Sequence, residues 1–445
     1  MRNRAATDPN ASPIPIGNLR PTLPAGFTYF GQFIDHDITR DDTPLWDAAK
    51  TAPAATPNGG GGRLDLDHLY GEGPNSSRHG HLFQGDLFRL GEARLPNGAQ
   101  FDLPLDDRGE PESADERSSE NIILRQLCAM FMKLHNQAVR ELPANTPAAE
   151  RFERARTRVR WQYQWLLRQQ YLGLICSRRV HGDLFGNNGD EARPQMIDWQ
   201  KNFSIPVEFS LAAFRFGHSM VRPVYFLNEQ SGKVRLEDLF WNPNQVGAIP
   251  VRHAVNWRAF LEPGAGVENG MTIDTVIAAP LFQLPPEHVH HLLQTNAPSL
   301  PPEPPLPSEL PVRTLVRGAL VGLPTGEAVA RHLGASVLPR ETPPGYARDP
   351  WADLDELGLT GRTPLWYYVL LEAELEQRGT KLGQVGSRLV AEILEGALRA
   401  DPKSFLKVNG PAWRPPPWMA LNGSSVPIKG LFDVAKVVGL TNPSS

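Results

Sequence analysis

The segment 31–37, which reads GQFIDHD, carries the residue types most able to do chemistry. On a helix, residues three and four apart share a face, so Gln32, Asp35 and His36 point into one space. Asp37 is turned about 100° away from His36. One face of such a helix can therefore carry out proton transfer, and the other can bind a metal ion.

A second segment, RSSE at 117–120, places Arg117 and Glu120 on one face by the same rule. A neutral imidazole takes up and returns a proton, and an arginine, which is always charged, stabilises a leaving anion. Cleavage of the O–O bond of a peroxide needs both groups, so His36 and Arg117 have complementary roles. An isolated histidine further along the chain, His218 in the sequence FRFGH, is of the type that binds haem iron.

Each of these residues also has a purely structural explanation. A histidine between two acids, such as His36, is more often part of a solvated or ion-paired helix face than a base in catalysis. The flanking acids could instead be ligands of a hydrolytic metal site. Ser and Glu of the RSSE segment can form a capping box that only marks a helix start, and His218 alone would be a core histidine with a partner. The presence of Gln32 on the same helix face, and of an arginine far along the sequence, favours a role in proton transfer over a purely structural one.

The composition points to a pocket rather than a charged surface. A net charge of −4 and a pI of about 6.3 leave no basic field for nucleic acid or an acidic membrane. No apolar run approaches a membrane span, and the N-terminal residues show no secretory signal peptide, so we expect a soluble protein that is cytoplasmic or exported by another route. Cys128 and Cys176 lie in apolar helical stretches, which favours buried free thiols over a disulfide.

The elements that must position these residues are mostly helices, because alternating strand patterns are scarce. A glycine-rich loop at 52–62 and a proline-rich connection at 285–311 leave little room for regular structure. We predict a mainly α protein with long loops and few short strands, in which an N-terminal arm at 1–26 precedes one large domain at 27–445. The predicted helices are 27–39, 118–142, 148–176, 210–221, 312–320, 363–378 and 385–400.

Taken in order, the segments GQFIDHD, RSSE and FRFGH resemble the distal, distal-arginine and proximal motifs of the animal-type haem peroxidase family, the group of myeloperoxidase and lactoperoxidase, in its bacterial branch. The resemblance extends to LDLDHLYG at 64–71, to Arg317-Gly318 with LPTG at 323–326, and to LGQVGSR at 382–388. It covers nearly the whole chain. The resemblance implies a helical haem peroxidase domain with haem b as its cofactor.

The resemblance also assigns a role to each polar residue of the pocket. It makes His36 the distal base, Gln32 the amide that orients peroxide or halide, Arg117 the distal arginine, and His218 the proximal ligand of the iron. Hydrogen peroxide would then oxidise a small reducing donor, such as a halide, thiocyanate or a phenol, through an oxo-ferryl intermediate. A fatty-acid dioxygenase of the same superfamily would carry a radical tyrosine where this chain has Arg215. A binding protein that kept the fold and lost turnover is the other alternative.

Six further positions concern the haem itself. By the resemblance, Asp35 and Glu120 match the residues that form ester bonds to haem methyl groups. Asn121 stands where myeloperoxidase has the methionine of a sulfonium link, so that third bond cannot form. Thr314 stands where the family usually has an asparagine that accepts the second N–H of the proximal histidine. Arginines that match those near the haem propionates are Arg215 and Arg317.

Asp37 and a loop at 61–67 resemble the calcium site of the same family. Hard oxygen ligands suit Ca²⁺, and this chain offers carboxylates at two alternate positions of the loop. The alternative is a turn with two solvated acids. The oxygen ligands that the resemblance implies are the carboxylates of Asp37, Asp65 and Asp67 with the carbonyls of Gly61 and Arg63.

Overall fold

The computed structural model describes the backbone of residues 2–4 and all atoms of a set of longer segments. These segments are 23–40, 62–186, 203–240, 247–263, 268–284, 308–342 and 349–441, with residues 194 and 196. Within them the chain is mainly α-helical, as the sequence predicts. The predicted loop at 52–61 and most of the proline-rich connection lie outside the described residues.

Helices account for nearly all of the regular structure, and they differ widely in length. In chain order, they are α1 Gly26–Ile38, α2 Asp67–Tyr70, α3 Ile122–Arg140, α4 Ala148–Leu166, α5 Leu172–Ile175, α6 Arg178–Phe185, α7 Val207–Ser210, α8 Gly217–Met220, α9 Trp257–Leu261, α10 Leu310–Leu320, α11 Gly326–His332, α12 Ala352–Glu356, α13 Leu365–Gln377, α14 Gln384–Ala400, α15 Phe405–Asn409 and α16 Leu431–Val437. Single 3₁₀ turns, among them Glu116–Ser119 and Ala213–Phe216, link several of them.

The strands of the described residues form two-stranded ribbons and no larger sheet. One ribbon is parallel and joins β1 Arg2–Arg4 to β6 Val276–Ala278. The antiparallel pairs are β2 Phe83–Gln84 with β3 Leu87–Phe88, β4 Val224–Tyr225 with β5 Val234–Arg235, and β7 Trp418–Met419 with β8 Ser425–Val426.

An aromatic cluster fixes helix α1 against the long helices α3 and α4. The ring of Phe33 stacks on Phe131 of α3 at 4.8 Å between centroids, and Phe30 meets Tyr163 of α4 edge-on at 6.2 Å. All four rings are buried. Burial of each such side chain stabilises the fold by about 1.5–3 kcal/mol, so the orientation of α1, and with it the direction of its polar face, is set by packing.

Two predicted helices differ from the structure at their ends or in their continuity. Helix α3 begins at Ile122 rather than at Ser118, because Asn121 is its N-cap and accepts the Leu124 N–H. The single helix predicted at 210–221 is wrong. That segment consists of the end of α7, a 3₁₀ turn and α8, since its consecutive apolar residues are buried on all sides and select no helical face.

The other helix predictions are confirmed to within about three residues. The long helix predicted at 148–176 is α4 and α5 joined by a π-helical turn at Leu167–Tyr171. Cys128 and Cys176 are both buried and unpaired, as predicted. No helix among the described residues has the length and apolar character that a membrane crossing requires.

Candidate active site

The polar face of α1 meets the segment that precedes α3. Gln32 donates from Nε2 to Glu120 Oε2 at 2.7 Å, and its own Oε1 accepts a hydrogen bond from Asn121 Nδ2 at 3.1 Å. His36 Nε2 lies 3.8 Å from the same Glu120 oxygen. The structure therefore brings together the residues that helical spacing groups on one face, and Glu120 is the group on which they converge.

Burial raises the pKa of both carboxyls in this cluster. The pKa of Glu120 rises to about 8, because burial outweighs the opposing charge of Arg117. The pKa of Asp35 also rises through burial, although Arg215 and Arg117 oppose the shift. Asp35 Oδ1 accepts a hydrogen bond from the Thr39 hydroxyl at 2.9 Å. Glu120 is therefore protonated at neutral pH in the haem-free chain.

The imidazole of His36 is neutral. Burial, followed by the nearby charge of Arg117, lowers its pKa well below the usual value. Its Nδ1 has no hydrogen-bond partner among the described residues. A neutral imidazole inside the protein, next to a cation, is suited to accept a proton and release it again.

The guanidinium of Arg117 donates hydrogen bonds to one carboxylate and two backbone carbonyls. It forms a paired contact with Asp115, with Nη2 to Oδ2 at 2.6 Å and Nε to Oδ1 at 3.0 Å. Nη1 donates to the carbonyl of Thr39 and Nη2 to that of His36, both at 2.9 Å. Burial would lower the pKa of Arg117, but Asp115 outweighs it and raises the pKa, so the residue is a fixed charge.

The RSSE segment is not the capping box that the sequence also allows. Asp115 is the N-cap of the 3₁₀ turn and accepts the Arg117 N–H, and Asn121 is the N-cap of α3. In a 3₁₀ turn, residues three apart eclipse one another, so Arg117 and Glu120 still share a side. Sequence reasoning missed Asp115, although an acid two residues before Arg117 is the usual signal of a side chain that bonds to its own turn.

His218 lies on α8, a helix that packs directly against α1. Trp366 contacts its ring edge-to-face at 5.7 Å between centroids. Burial, with the charges of Arg215 and Arg313, lowers the pKa of His218 to about 3, so the ring is neutral. The residue is partly exposed, although its Nδ1 atom is buried.

Arg313 is a site residue that the sequence analysis missed. It lies four residues before Arg317 on α10, so the two side chains share a helix face. Burial and then the charges of Arg215 and Arg317 lower its pKa to about 10, while Glu120 opposes the shift. Arg313 therefore lies within electrostatic reach of Arg215, Arg317 and Glu120, and its charge also acts on His218.

Thr314 does not provide the contact that the usual asparagine would make. Its hydroxyl donates to the carbonyl of Leu310, one turn earlier on α10, at 3.0 Å. His218 Nδ1 has no hydrogen-bond partner among the described residues.

A second polar cluster lies on the opposite face of α1. Asp37 is fully buried, and its Oδ1 lies 3.2 Å from Nδ1 of His68. Asp37, Asp67 and His68 each offer one ligand atom, and these atoms all lie within 4.8 Å of one another. Burial, with the charge of Asp65, raises the pKa of Asp37 well above its usual value. Buried carboxyl groups therefore lie close together here, an arrangement that is unfavourable unless protons or a cation neutralise them.

Not every predicted ligand of this cluster can be placed. Asp65 lies within electrostatic reach of both Asp37 and Asp67. Burial, with the charges of Asp37 and Asp65, raises the pKa of Asp67 to about 7. Gly61 lies outside the described residues. The carbonyl of Arg63 as a ligand stays a prediction.

Comparison with known proteins agrees with the family resemblance. Residues 47–261 match the family model for animal haem peroxidase, a range that contains Arg117, Glu120, Arg215 and His218. Chorion peroxidase of Drosophila melanogaster is 24% identical over 197 residues, which is 41% of this chain and 24% of that protein. The chain thus spans about a quarter of the length of this curated relative.

Solved structures with the same fold cover most of the chain. Peroxidase A from Dictyostelium discoideum is 16% identical and covers 88% of this chain and 81% of its own, with a TM-score of 0.60. The fatty acid alpha-dioxygenase of Oryza sativa is 14% identical and covers 86% of this chain and 69% of its own, with a TM-score of 0.61. At these identities the likeness shows the fold alone.

Residues 47–261 are thus similar to the animal haem peroxidase family, whose members typically bind haem. The solved neighbours show that most of the chain has the fold of this group of proteins. The family match does not reach the α1 face that carries His36, nor Arg317.

Proposed function

We propose that this chain is a haem peroxidase that uses hydrogen peroxide to oxidise a small donor. The observation that carries the proposal is a pair of neutral histidines on packed helices. His36 on α1 faces Glu120 and Gln32, and His218 on α8 faces a group of arginines. This is the arrangement expected of a base on one side of a haem and an iron ligand on the other.

The residues present fit a haem group on three counts. His218 is neutral, as an iron ligand must be, and its Nδ1 is free of any described partner. Arg215, Arg313 and Arg317 are partly buried positive charges, which match the two carboxylates of the haem propionates. Asp35 on α1 and Glu120 on the segment before α3 add two carboxyls, where the family resemblance expects the ester bonds.

Bound haem would supply the redox chemistry, since it can give two electrons to peroxide and recover them from the donor. The protein residues handle protons and charge. His36 takes the proton of the inner peroxide oxygen and returns it to the outer oxygen, which leaves as water. Gln32, held between Glu120 and Asn121, keeps a fixed amide next to that path.

Arg117 contributes in two ways. Its fixed charge stabilises negative charge that develops on the outer oxygen. It also holds the carbonyls of His36 and Thr39, so it positions the helix end from which the base projects. Asp115 in turn orients the guanidinium and is a positioning residue.

A cation site on the far face of α1 completes the proposal. Asp37 follows His36 directly in the chain but faces the cluster with Asp65 and Asp67. A bound ion there, calcium by the family resemblance, would fix the helix that presents the base. The close approach of Asp37, Asp67 and His68 supports the site.

A fatty-acid dioxygenase is the alternative from the same superfamily, and a structural neighbour from Oryza sativa bears that name. Such an enzyme would need the radical tyrosine that the resemblance places three residues before the proximal histidine. This chain has Arg215 there, with its Nε bonded to the carbonyl of Ser210 and its charge acting on His218. Arg215 therefore favours the peroxidase.

The deciding experiment combines a spectrum with an assay on the haem-loaded full chain. We expect a Soret band that changes on addition of stoichiometric hydrogen peroxide, followed by its return when bromide, thiocyanate or a phenol is added. We also expect no uptake of oxygen with a fatty acid. A chain that binds no haem would contradict the proposal, and oxygen uptake with a fatty acid in the absence of donor oxidation would support the dioxygenase.

A further inference from the structure

A nitrogen donor lies inside the cation cluster of α1. His68 is 3% exposed, and its Nδ1 is 3.2 Å from Oδ1 of Asp37. The ligand set expected from the family resemblance contains oxygen atoms alone, from Asp37, Asp65, Asp67 and two carbonyls. The structure adds an imidazole to it, and this imidazole belongs to the same three-residue group as Asp37 and Asp67.

The spacing of these atoms is that of neighbouring ligands around one ion. Bonds of about 2.0–2.2 Å from a metal to nitrogen and oxygen, at angles between 90° and 109°, put adjacent ligand atoms roughly 2.9–3.5 Å apart. The separation of 3.2 Å between Asp37 Oδ1 and His68 Nδ1 falls in this range. Asp67 also belongs to this group, in which one ligand atom from each of the three residues lies within 4.8 Å of the other two.

One carboxylate oxygen of the cluster is buried without a normal partner. Asp37 Oδ2 makes no hydrogen bond of normal length and angle among the described residues, although the Tyr163 hydroxyl lies near this carboxyl. A buried polar atom without a partner costs free energy, so Asp37 Oδ2 has room for a further ligand. Phe33 packs edge-on against the His68 ring at 4.4 Å and fixes its position.

The donor set selects for a particular class of ion. Ca²⁺ takes oxygen ligands, six to eight of them, and gains little from an imidazole. Neutral imidazole is a good ligand for first-row transition ions, and carboxylates also suit Mn²⁺ and Zn²⁺.

We propose that Asp37, Asp67 and His68 form a mixed nitrogen–oxygen site that takes a divalent transition ion of the Mn²⁺ or Zn²⁺ type in competition with Ca²⁺. The inference rests on the cation site of the proposed function and names its ligand and ion class. His68 binds the ion through nitrogen, and Asp37 joins it to the helix that presents His36. Without the nitrogen ligand, His68 would be only a hydrogen-bond donor to Asp37.

The test uses the haem-loaded full chain, stripped of divalent ions with a chelator and then titrated separately with Mn²⁺, Zn²⁺ and Ca²⁺. We expect Mn²⁺ to bind at least as tightly as Ca²⁺. His68→Met removes the nitrogen with little loss of volume and should weaken Mn²⁺ and Zn²⁺ binding by about tenfold or more, while Ca²⁺ binding changes by less than about threefold.

His135→Met is the matched control. His135 is also a fully buried histidine of this core, but it bonds to the Tyr70 hydroxyl and the Asp86 carbonyl and lies outside the cluster. This variant should bind all three ions as the wild type does. Equal weakening of Ca²⁺ and Mn²⁺ by His68→Met, or no weakening of either, would overturn the nitrogen ligand.

A spectroscopic measurement on the wild type removes any dependence on the folding of the variant. In the Mn²⁺-loaded chain, pulsed electron paramagnetic resonance should detect coupling of the metal to one imidazole nitrogen. Bound Mn²⁺ without nitrogen coupling would refute the proposal. Metal binding and this coupling are read without peroxide or donor, so their failure is distinct from failure of the peroxidase assignment.

Discussion

Arg117 holds the main chain of His36 rather than its imidazole ring, with Nη2 donating to the His36 carbonyl at 2.9 Å. The last carbonyls of a helix have no partner within it, and here Arg117 satisfies two of them, those of His36 and Thr39. Nε and Nη2 also donate to Asp115. Of the five N–H groups of a guanidinium, one on Nη1 is left for a ligand. We therefore expect Arg117 to act mainly through its charge and through its hold on the end of α1, rather than by donating several hydrogen bonds to a ligand.

Replacement of Arg117 by lysine should therefore destabilise the fold as well as slow the reaction with peroxide. Lysine keeps the charge but cannot reach Asp115 and both carbonyls together, and Asp115 would stay buried without a full partner. We expect the free energy of unfolding to fall by about 3 kcal/mol. Urea denaturation followed by circular dichroism measures it.

The matched control is Arg89→Lys. Arg89 pairs with Glu112 at 3.3 Å, but this arginine is 45% exposed, so the change should cost at most about 1 kcal/mol. If Arg117→Lys and Arg89→Lys unfolded at the same urea concentration as the wild type, Arg117 would not be the clamp at the end of α1.

The two histidines of the site should separate haem binding from reaction with peroxide. We expect His218→Ala to lose the stable Soret band, because only His218 is proposed to bind the iron. His36→Ala should keep the band but react with peroxide at least about 10²-fold more slowly, the usual cost of losing a general base. His332→Ala, at an exposed position, should change neither property. A His36→Ala protein without haem and a His218→Ala protein with haem would reverse the two sides.

Glu120 gives the haem-free chain a pH-dependent stability with a definite sign. Burial raises its pKa from 4.5 to about 8 in the folded state. Between these values the unfolded chain has released the proton and the folded chain retains it, so stability falls as the pH rises through this window. Below pH 4.5 both states are protonated, and above about pH 8 both are ionised, so the loss stops at each end.

Glu120→Gln removes this titration. The free energy of unfolding of the variant relative to wild type should increase between about pH 5 and pH 8, by a few kcal/mol at most. Urea denaturation at a series of pH values measures the difference. Glu92→Gln changes an exposed glutamate and should give a difference that is flat with pH. A flat difference for Glu120→Gln as well would mean that Glu120 is ionised in the fold.

Loss of the cation site should also disturb helix α1, which carries His36. Asp37→Ala removes a fully buried carboxylate that lies beside His36 in sequence but on the opposite face of α1. We expect this variant to lose its bound divalent ion, to melt at a lower temperature, and to be less active. Elemental analysis measures the bound ion, and a thermal melt measures the stability. If active wild-type protein contained no divalent ion, the proposed cation site would be wrong.

The sequence predicts the distal face well because the rule it uses is local. Helical spacing alone groups Gln32, Asp35 and His36, and it correctly sends Asp37 to the other side. The packing of Phe33 against Phe131 then aims that face as a rigid unit. Helical spacing predicts a group of site residues correctly when all of them lie on one helix.

The sequence fails where the outcome depends on contacts between distant segments. The run around His218 looks like a single helix, but its apolar residues are buried on every side, so tertiary packing breaks it into short turns. No motif contains Arg313, and the LDLDHLYG motif assigns no role to His68. Only the approach of Arg313 to His218, and of His68 to Asp37 on α1, gives these residues a role. Thr314 could reach His218 from its position in the sequence, but its hydroxyl bonds to Leu310 in its own helix.

The last prediction concerns covalent attachment of haem. Asp35 and Glu120 are carboxyls on two elements that meet at Gln32, and each keeps part of its surface accessible to the internal space. Asn121 cannot form a sulfonium bond, and its side chain is already engaged with Leu124 and Gln32. We therefore expect at most two ester bonds, formed during turnover with peroxide.

After incubation with peroxide, haem in the wild type should resist extraction by acidified acetone. Asp35→Ala should leave one link through Glu120, Glu120→Ala should leave one through Asp35, and the double variant should release all of its haem. Mass spectrometry of haem-bearing peptides identifies each link.

Because an ester does not withdraw electrons as a sulfonium does, chloride should be oxidised more slowly than bromide, iodide or thiocyanate. Complete extraction from peroxide-treated wild type would refute the ester bonds, and chloride oxidation as fast as bromide would refute the donor preference, while haem binding by His218 would stand on its own test.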